Sequence, residues 1–95
     1  MLSPAQKRFL SAKAHSLDPV VTIGRNGLTK SVQDEVDTAL KSHELIKIRI
    51  LSAEREERET MLETVCAALH AHPVGHVGKI LVVYRRAEKP GLILP

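Results

Sequence analysis

Four consecutive residues, Gly24-Arg25-Asn26-Gly27, have the types and spacing best suited to a chemical task, and that task is holding an anion. They lie between a short β-branched run, Val20-Val21-Thr22-Ile23, and a stretch that Thr29 can cap as a helix. The first amides of a helix have no partner within it, and the helix dipole makes that end positive, so a phosphate is a natural ligand there. Glycines permit positive φ and a close backbone approach. Arg25 brings a fixed charge with several donors. Asn26 tolerates left-handed geometry and can bond a sugar or a phosphate, and Lys30 adds a second charge just past the cap. By themselves the four residues also describe an ordinary Asn-Gly turn from strand to helix, and both readings stand at this point. The six-residue dinucleotide glycine pattern and the lysine-serine phosphate loop are both missing, so no nucleotide or other cofactor is expected.

Other residues invite chemistry and carry less. Cys66 and His70 are spaced i, i+4 on one helical stretch, with His72 and His76 following, and zinc accepts such ligands. A solitary cysteine among apolar helix positions packs as a small hydrophobe, and Pro73 separates the histidines, so no metal site is expected. The carboxylates from Glu54 to Glu63 are interspersed with Arg55 and Arg58, the pattern of a solvated helix face. No nucleophile stands beside a base in the pattern. The expectation is a protein that is not an enzyme and takes no small-molecule substrate.

The 95 residues suffice for one domain, and an apolar content of 43% suits a globular chain and not a disordered one. With one cysteine no internal disulfide can form, which suits a reducing cytosol. Met1 to Leu10 does not read as a secretion signal, and there is no apolar run long enough to span a membrane. The expected location is cytoplasmic. Charge is unevenly placed. Lys7, Arg8, Lys13, Arg25 and Lys30 face a single acid, Asp18, in the first third, and Lys79, Arg85, Arg86 and Lys89 face only Glu88 at the end. The middle carries the remaining carboxylates. If the two basic segments meet in space, they form a face for a polyanion; scattered surface charge is the alternative.

The elements that must position these residues follow from periodicity. Ser3-Pro4 with Gln6 is a capping box with proline at the first helical position. Phe9, Leu10, Ala14 and Leu17 continue that helix to a stop at Asp18-Pro19. After the Val20–Ile23 strand, Val32, Val36, Ala39 and Leu40 form a helical stripe. From Glu44 to Leu51, Ile46, Ile48 and Ile50 alternate with Lys47 and Arg49, a strand with one buried face and one basic face. A helix from Ala53 to His72 is stopped by Pro73, with Met61, Leu62, Val65, Cys66 and Leu69 inside. Val74–Val77 and Lys79–Arg85 close as a hairpin around Gly78. The predicted order is α-β-α-β-α-β-β, an α/β domain with a mixed sheet packed by helices over residues 1–86, and residues 87–95 as an irregular tail.

A wider resemblance narrows the function. Leu2-Ser3-Pro4-Ala5-Gln6-Lys7-Arg8, Ala14-His15, Pro19-Val20-Val21, Ile23-Gly24-Arg25-Asn26-Gly27-Leu28-Thr29 and His43-Glu44-Leu45-Ile46-Lys47-Ile48 resemble the CRM domain, whose stand-alone bacterial members are the YhbY-type RNA-binding proteins. The ending Val77-Gly78-Lys79-Ile80-Leu81-Val82-Val83-Tyr84-Arg85 resembles the family's last hairpin. The resemblance implies a compact four-stranded domain similar to the C-terminal domain of a bacterial translation initiation factor. It also implies RNA binding and association with precursors of the large ribosomal subunit. The family's glycine-framed loop falls on Gly24, Arg25, Asn26 and Gly27, and its basic first-helix positions fall on Lys7 and Arg8. Near Leu69 to Gly75 the chain departs from the family pattern, with Pro73 in place of a strand former, so a late or short third strand is expected.

The scarcity of aromatic residues, only Phe9 and Tyr84, removes the stacking platform that some RNA-binding sheets use. Phe9 fits the first helix's core stripe and Tyr84 reads as a packing residue. Contacts then rest on phosphate and 2′-hydroxyl groups. Arg25, Lys30, Lys7 and Arg8 are the first candidates and Lys47, Arg49, Lys79 and Arg85 the second, since outward strand charges can simply keep a sheet face soluble. The competing reading is a protein-interaction module that docks on a ribosomal partner with little direct RNA contact.

Overall fold

Ser3 starts the first helix as its sequence prescribes. Its hydroxyl accepts the Gln6 amide at 3.1 Å while its own amide donates to the Gln6 side chain at 2.9 Å, with Pro4 next in line. The computed structural model describes residues 2–51 and 54–95. In it the elements run α1 (Pro4–Ala14), β1 (Val21–Ile23), α2 (Lys30–His43), β2 (Leu45–Ile50), α3 (Arg55–Leu69), β3 (His72–Val77) and β4 (Ile80–Tyr84), the predicted order. The four strands stand in the order β1-β2-β4-β3; β1 is parallel to β2 and the other pairings are antiparallel, so the sheet is mixed.

Both faces of the sheet are covered, and alternation decides which residue goes where. Val21, Ile23, Ile46, Ile48, Ile50, Leu81 and Val83 face α2 and α3, meeting Val36, Leu40, Leu62, Val65 and Cys66 in the main core. On the other face Leu45, Val82 and Tyr84 lie under α1, against Leu10 and Ala14, with Leu2, Leu92 and Leu94 closing the edge. Each fully buried Leu or Ile contributes roughly 1.5–3 kcal/mol by leaving water. Lys47 and Arg49 do point away from the isoleucines. The face they occupy is partly roofed by α1, which leaves Lys47 half-buried and Arg49 exposed.

Strands β1, β2 and β4 are a residue shorter at one or both ends than expected, and three larger differences have identifiable causes. Helix α1 ends at Ala14 rather than at Asp18-Pro19. The Ser16 hydroxyl donates to the Lys13 carbonyl (3.2 Å) and the Leu17 amide to Ala14 (3.0 Å), turning the chain early and leaving Leu17 outside the helix and exposed. Helix α3 ends at Leu69, not His72, because His70 adopts a left-handed φ of 53° and the Ala71 amide folds back to the Cys66 carbonyl; its expected start at Ala53 lies outside the described residues. Strand β3 is neither late nor short: it begins at His72 and includes Pro73. The proline is tolerated because β3 is an edge strand, and the register shifts between Pro73 and Gly75.

Beyond Tyr84 there is no helix or strand, yet the tail is anchored. The Gly91 amide donates to Glu44, a buried carboxylate that closes α2 with a φ of 62°, and the Gln6 side chain donates to the Pro95 carbonyl at 3.1 Å.

Candidate nucleic-acid interface

The Gly24–Gly27 segment is a tight turn on the surface. The Gly27 amide donates to the Gly24 carbonyl at 3.1 Å. Arg25 and Asn26 both keep negative φ, which excludes turn types II, I′ and II′, and Gly27 takes the left-handed position at φ 70°. Arg25 and Asn26 are exposed. The Thr29 amide then donates to the Gly27 carbonyl (3.0 Å), and the Thr29 hydroxyl caps α2 by accepting the Val32 amide (3.2 Å). The Gln33 side chain donates to the Leu28 carbonyl at 3.3 Å and fixes the turn from the other side.

These bonds change which amides are open. Gly27, Thr29 and Val32 spend theirs inside the protein, whereas those of Arg25 and Asn26 in the turn, and of Lys30 and Ser31 in the first turn of α2, have no protein partner among the described residues. The cradle for an anion is therefore the tip of the turn together with the first helical turn.

Tertiary structure assembles other candidates around this end of the sheet. The Leu51 amide donates to the Ile23 carbonyl and the Ile50 amide to the Lys79 carbonyl. The loop after β1 and the hairpin turn before β4 thus flank the end of β2, and Arg25, Arg49 and Lys79, far apart in sequence, come to one end of the fold, all exposed. Gly78, at φ 57°, supplies the first central position of the two-residue Gly78-Lys79 turn, as a type II′ hairpin requires. Lys30 is almost fully exposed and lies 3.7 Å from Asp34, a surface pair one helical turn apart that leaves the ammonium free to exchange partners. Lys7 and Arg8 are exposed on α1 and share its flank with Ser11, at i+4 and i+3, and with Ser11 this flank borders a hollow above the sheet.

Arg85 stands apart. Its guanidinium is one-fifth exposed and is engaged within the protein, donating to the Asp37 carboxylate (2.8 Å), the Asp37 carbonyl (3.1 Å) and the Leu69 carbonyl (2.9 Å). It ties α2 to the end of α3. The Arg85 hydrogen bond, and next that of Lys41, hold the Asp37 carboxyl below the usual carboxylate range. Nothing in the local sequence signals this role, since the partners lie 48 and 16 residues away.

The remaining chemistry-bearing residues fall into packing roles. Tyr84 is buried under the tail and stacks on His72 with ring centroids 6.4 Å apart; burial first, then the Glu44 charge, raises its pKa. Phe9 packs on the second core with Lys13 over its ring at 5.6 Å. Cys66 is buried in the main core, and desolvation pushes its thiol up to about 11, the opposite of an activated nucleophile. Among the described residues no three His, Cys, Asp or Glu side chains come together as a metal site, and no helix is long and apolar enough to cross a membrane.

Comparison with known proteins agrees with this architecture. A family model described as the CRS1 / YhbY (CRM) domain matches residues 2–85. An RNA-binding protein of Haemophilus influenzae is 43% identical over 94 residues, covering 99% of this chain and 95% of the relative. A protein of Pseudomonas aeruginosa named "Probable RNA-binding protein" is 39% identical over 89 residues, covering 94% and 86%. The solution structure of a Staphylococcus aureus protein superposes with a TM-score of 0.89 at 31% identity, over 100% of both chains. From these matches over nearly its whole length, the chain belongs to the CRS1/YhbY (CRM) domain family.

Proposed function

We propose that this protein binds RNA by its phosphate backbone, with the Gly24–Gly27 turn and the start of α2 as the grip and Lys7, Arg8, Lys30, Lys47, Arg49 and Lys79 as surrounding charge. The observation that carries this reading is the turn itself. It is exposed, it presents unpartnered amides beside the Arg25 guanidinium, and the fold sets Arg49 and Lys79 at the same end of the sheet. Amides and guanidinium groups so placed suit phosphate oxygens. The relatives' names support the same polymer. Arg85 is left out of the grip, because three of its guanidinium N–H groups already donate to Asp37 and Leu69 and the side chain is one-fifth exposed.

The resemblance in the loop and the His43–Ile48 strand further supports a cytoplasmic role on precursors of the large ribosomal subunit. Co-sedimentation with such particles in sucrose gradients, and crosslinking with sequencing of the bound RNA, test that part.

Binding titrations across salt concentrations test the grip. Removing one cation–phosphate interaction flattens the slope of log affinity against log salt by about 0.7–0.9, so Arg25→Ala and Lys30→Ala each lower the slope by about that amount. Unchanged affinity and slope in both folded variants would remove the turn from the interface. Absence of salt-dependent RNA binding in the unaltered protein would favour docking on a protein partner instead.

A further inference from the structure

Helix α1 does not fully roof its side of the sheet. Ser11 and Ala14 on the helix, His15 at its C-cap, Lys47 on β2, Val77 on β3 and Ile80 and Val82 on β4 line a hollow of about 160 Å3. Small side chains leave it open: Ser11 and Ala14 face it from above. Gly75, paired with Val82 on the same side of the sheet, has nothing within 4 Å of where a Cβ would stand. Its floor is aliphatic, and Val77, 74% exposed, extends that floor to the edge. Ala14 and Val82 are buried at its back, and the part open to water is Val77 with half-buried Ile80, an aliphatic patch that gains by being covered.

The rim is polar and basic. Lys47, Ser11 and His15 offer hydrogen-bonding groups to whatever enters. Arg49 is the register partner of Ile80 and Lys79 precedes it, so two exposed cations stand at the mouth. No carboxylate lines the hollow among the described residues. From Ile80 the sheet crosses Arg49 to Thr22, one residue before Ile23 and the phosphate-gripping turn. At ~4.8 Å per strand that span is about 10 Å, within reach of a few nucleotides.

We propose that this hollow seats one unstacked nucleobase of the RNA whose backbone is held by the Gly24–Gly27 turn. The volume sets the scale: it is below the ~300–1,000 Å3 of a small-molecule site, so it takes part of a ligand rather than a whole metabolite. An apolar floor with a hydrogen-bonding, cationic rim fits a planar heterocycle attached to a phosphodiester chain. It fits an uncharged apolar partner less well, since such a partner would leave the surrounding cations without a counter-charge. The seat also replaces the aromatic platform that the chain lacks, because a base sliding under α1 is sandwiched by aliphatic groups instead. The protein then prefers RNA carrying an unpaired nucleotide over an unbroken helix.

This inference rests on the RNA-binding reading, and the experiment separates the two. Affinity is measured at several salt concentrations for a short RNA duplex with one bulged purine, and for the same duplex with an abasic nucleotide at the bulge. Both carry the same phosphates. The expected result is an affinity about tenfold lower for the abasic RNA, in the range one base contributes to single-strand binding, with parallel salt slopes. Ser11→Phe fills the hollow from an exposed position of α1, and Val77→Ser strips its floor at the exposed hairpin; both shrink the ratio between the two RNAs, Ser11→Phe to near one. Equal affinity of the unaltered protein for the two RNAs, with a steep salt slope, overturns the base seat and leaves the backbone grip standing. A tenfold ratio that survives both substitutions also overturns it, placing the base elsewhere. No binding to either RNA at low salt overturns the RNA-binding reading and the seat with it.

Discussion

Replacing Arg85 by methionine separates a structural arginine from an RNA-binding one. The methionine keeps much of the stem's volume and deletes the guanidinium's bonds to the Asp37 carboxylate, the Asp37 carbonyl and the Leu69 carbonyl. All three bonds are donated by a charged guanidinium and each would be worth about 1.5–3 kcal/mol in a dry interior, so a fully buried staple would be worth at least about 4.5 kcal/mol. Here the arginine is one-fifth and the aspartate about one-third exposed, and water takes over part of each bond that is removed. The expected loss is about 2 kcal/mol, which in a domain of this size lowers Tm by roughly 8–16 °C. Urea unfolding followed by far-UV circular dichroism reads it.

The pH dependence carries a sign. Asp37 has its folded pKa below the ordinary 3.8, so the ion pair's stabilisation is present above that value and is lost as pH falls through the lower folded value. The gap between the native protein and Arg85→Met therefore holds from pH 7 to about pH 4, and narrows in stronger acid. It does not vanish, because the carbonyl bonds do not titrate, and Lys41, 3.2 Å from the same carboxylate, keeps part of the shift in the variant. A variant within about 0.5 kcal/mol of the native protein, the range of an ordinary surface substitution, refutes the staple. A drop in the RNA salt slope by about one phosphate's worth would return Arg85 to the interface.

Three further outcomes follow from the same geometry. Gly27→Val puts a β-branched residue at φ 70° and is expected to cost about 1–2 kcal/mol in urea unfolding. Gly24→Ala, with nothing within 4 Å of its Cβ, stays within about 0.5 kcal/mol of the native protein; equal losses in the two would contradict the assigned turn. Gly91→Pro removes the amide whose hydrogen Glu44 accepts and leaves a buried carboxylate oxygen without its donor, so the tail detaches and trypsin cleaves faster after Arg86, at a stability cost of about 1–3 kcal/mol; an unaltered cleavage rate would show the anchor to be dispensable. Cys66, with its thiol pushed up to about 11 inside the main core, reacts with alkylating reagents at neutral pH only as the domain opens, so urea at the unfolding midpoint accelerates labelling sharply; rapid labelling of the folded protein would contradict its burial.

Local chemistry alone determined much of this protein. The Ser3–Gln6 box, the Thr29 cap, the Ile46-Ile48-Ile50 alternation and the Gly78 turn are each set by neighbours within a few residues, and each stands where its residues place it. The glycine-framed turn was legible for the same reason, since strand, turn and capped helix follow one another along the chain. Boundaries were less so. The early ends of α1 and α3 depend on a serine hydroxyl and a left-handed histidine, whose competition with the helix is decided by small differences in energy.

Only the tertiary structure decided what long-range pairing controls. Strand order made β3 an edge and so admitted Pro73; it carried Arg49 and Lys79 to the turn at Arg25; and it laid α1 over Lys47 to leave the hollow beside it. Arg85 and Glu44 carry sequence signatures no different from surface charges, and they became a staple and an anchor because distant carbonyls, a carboxylate and an amide were brought within hydrogen-bonding distance. Periodicity specifies which face a side chain takes. Which partner waits on that face depends on how separate elements pack, and that information is spread over the whole chain.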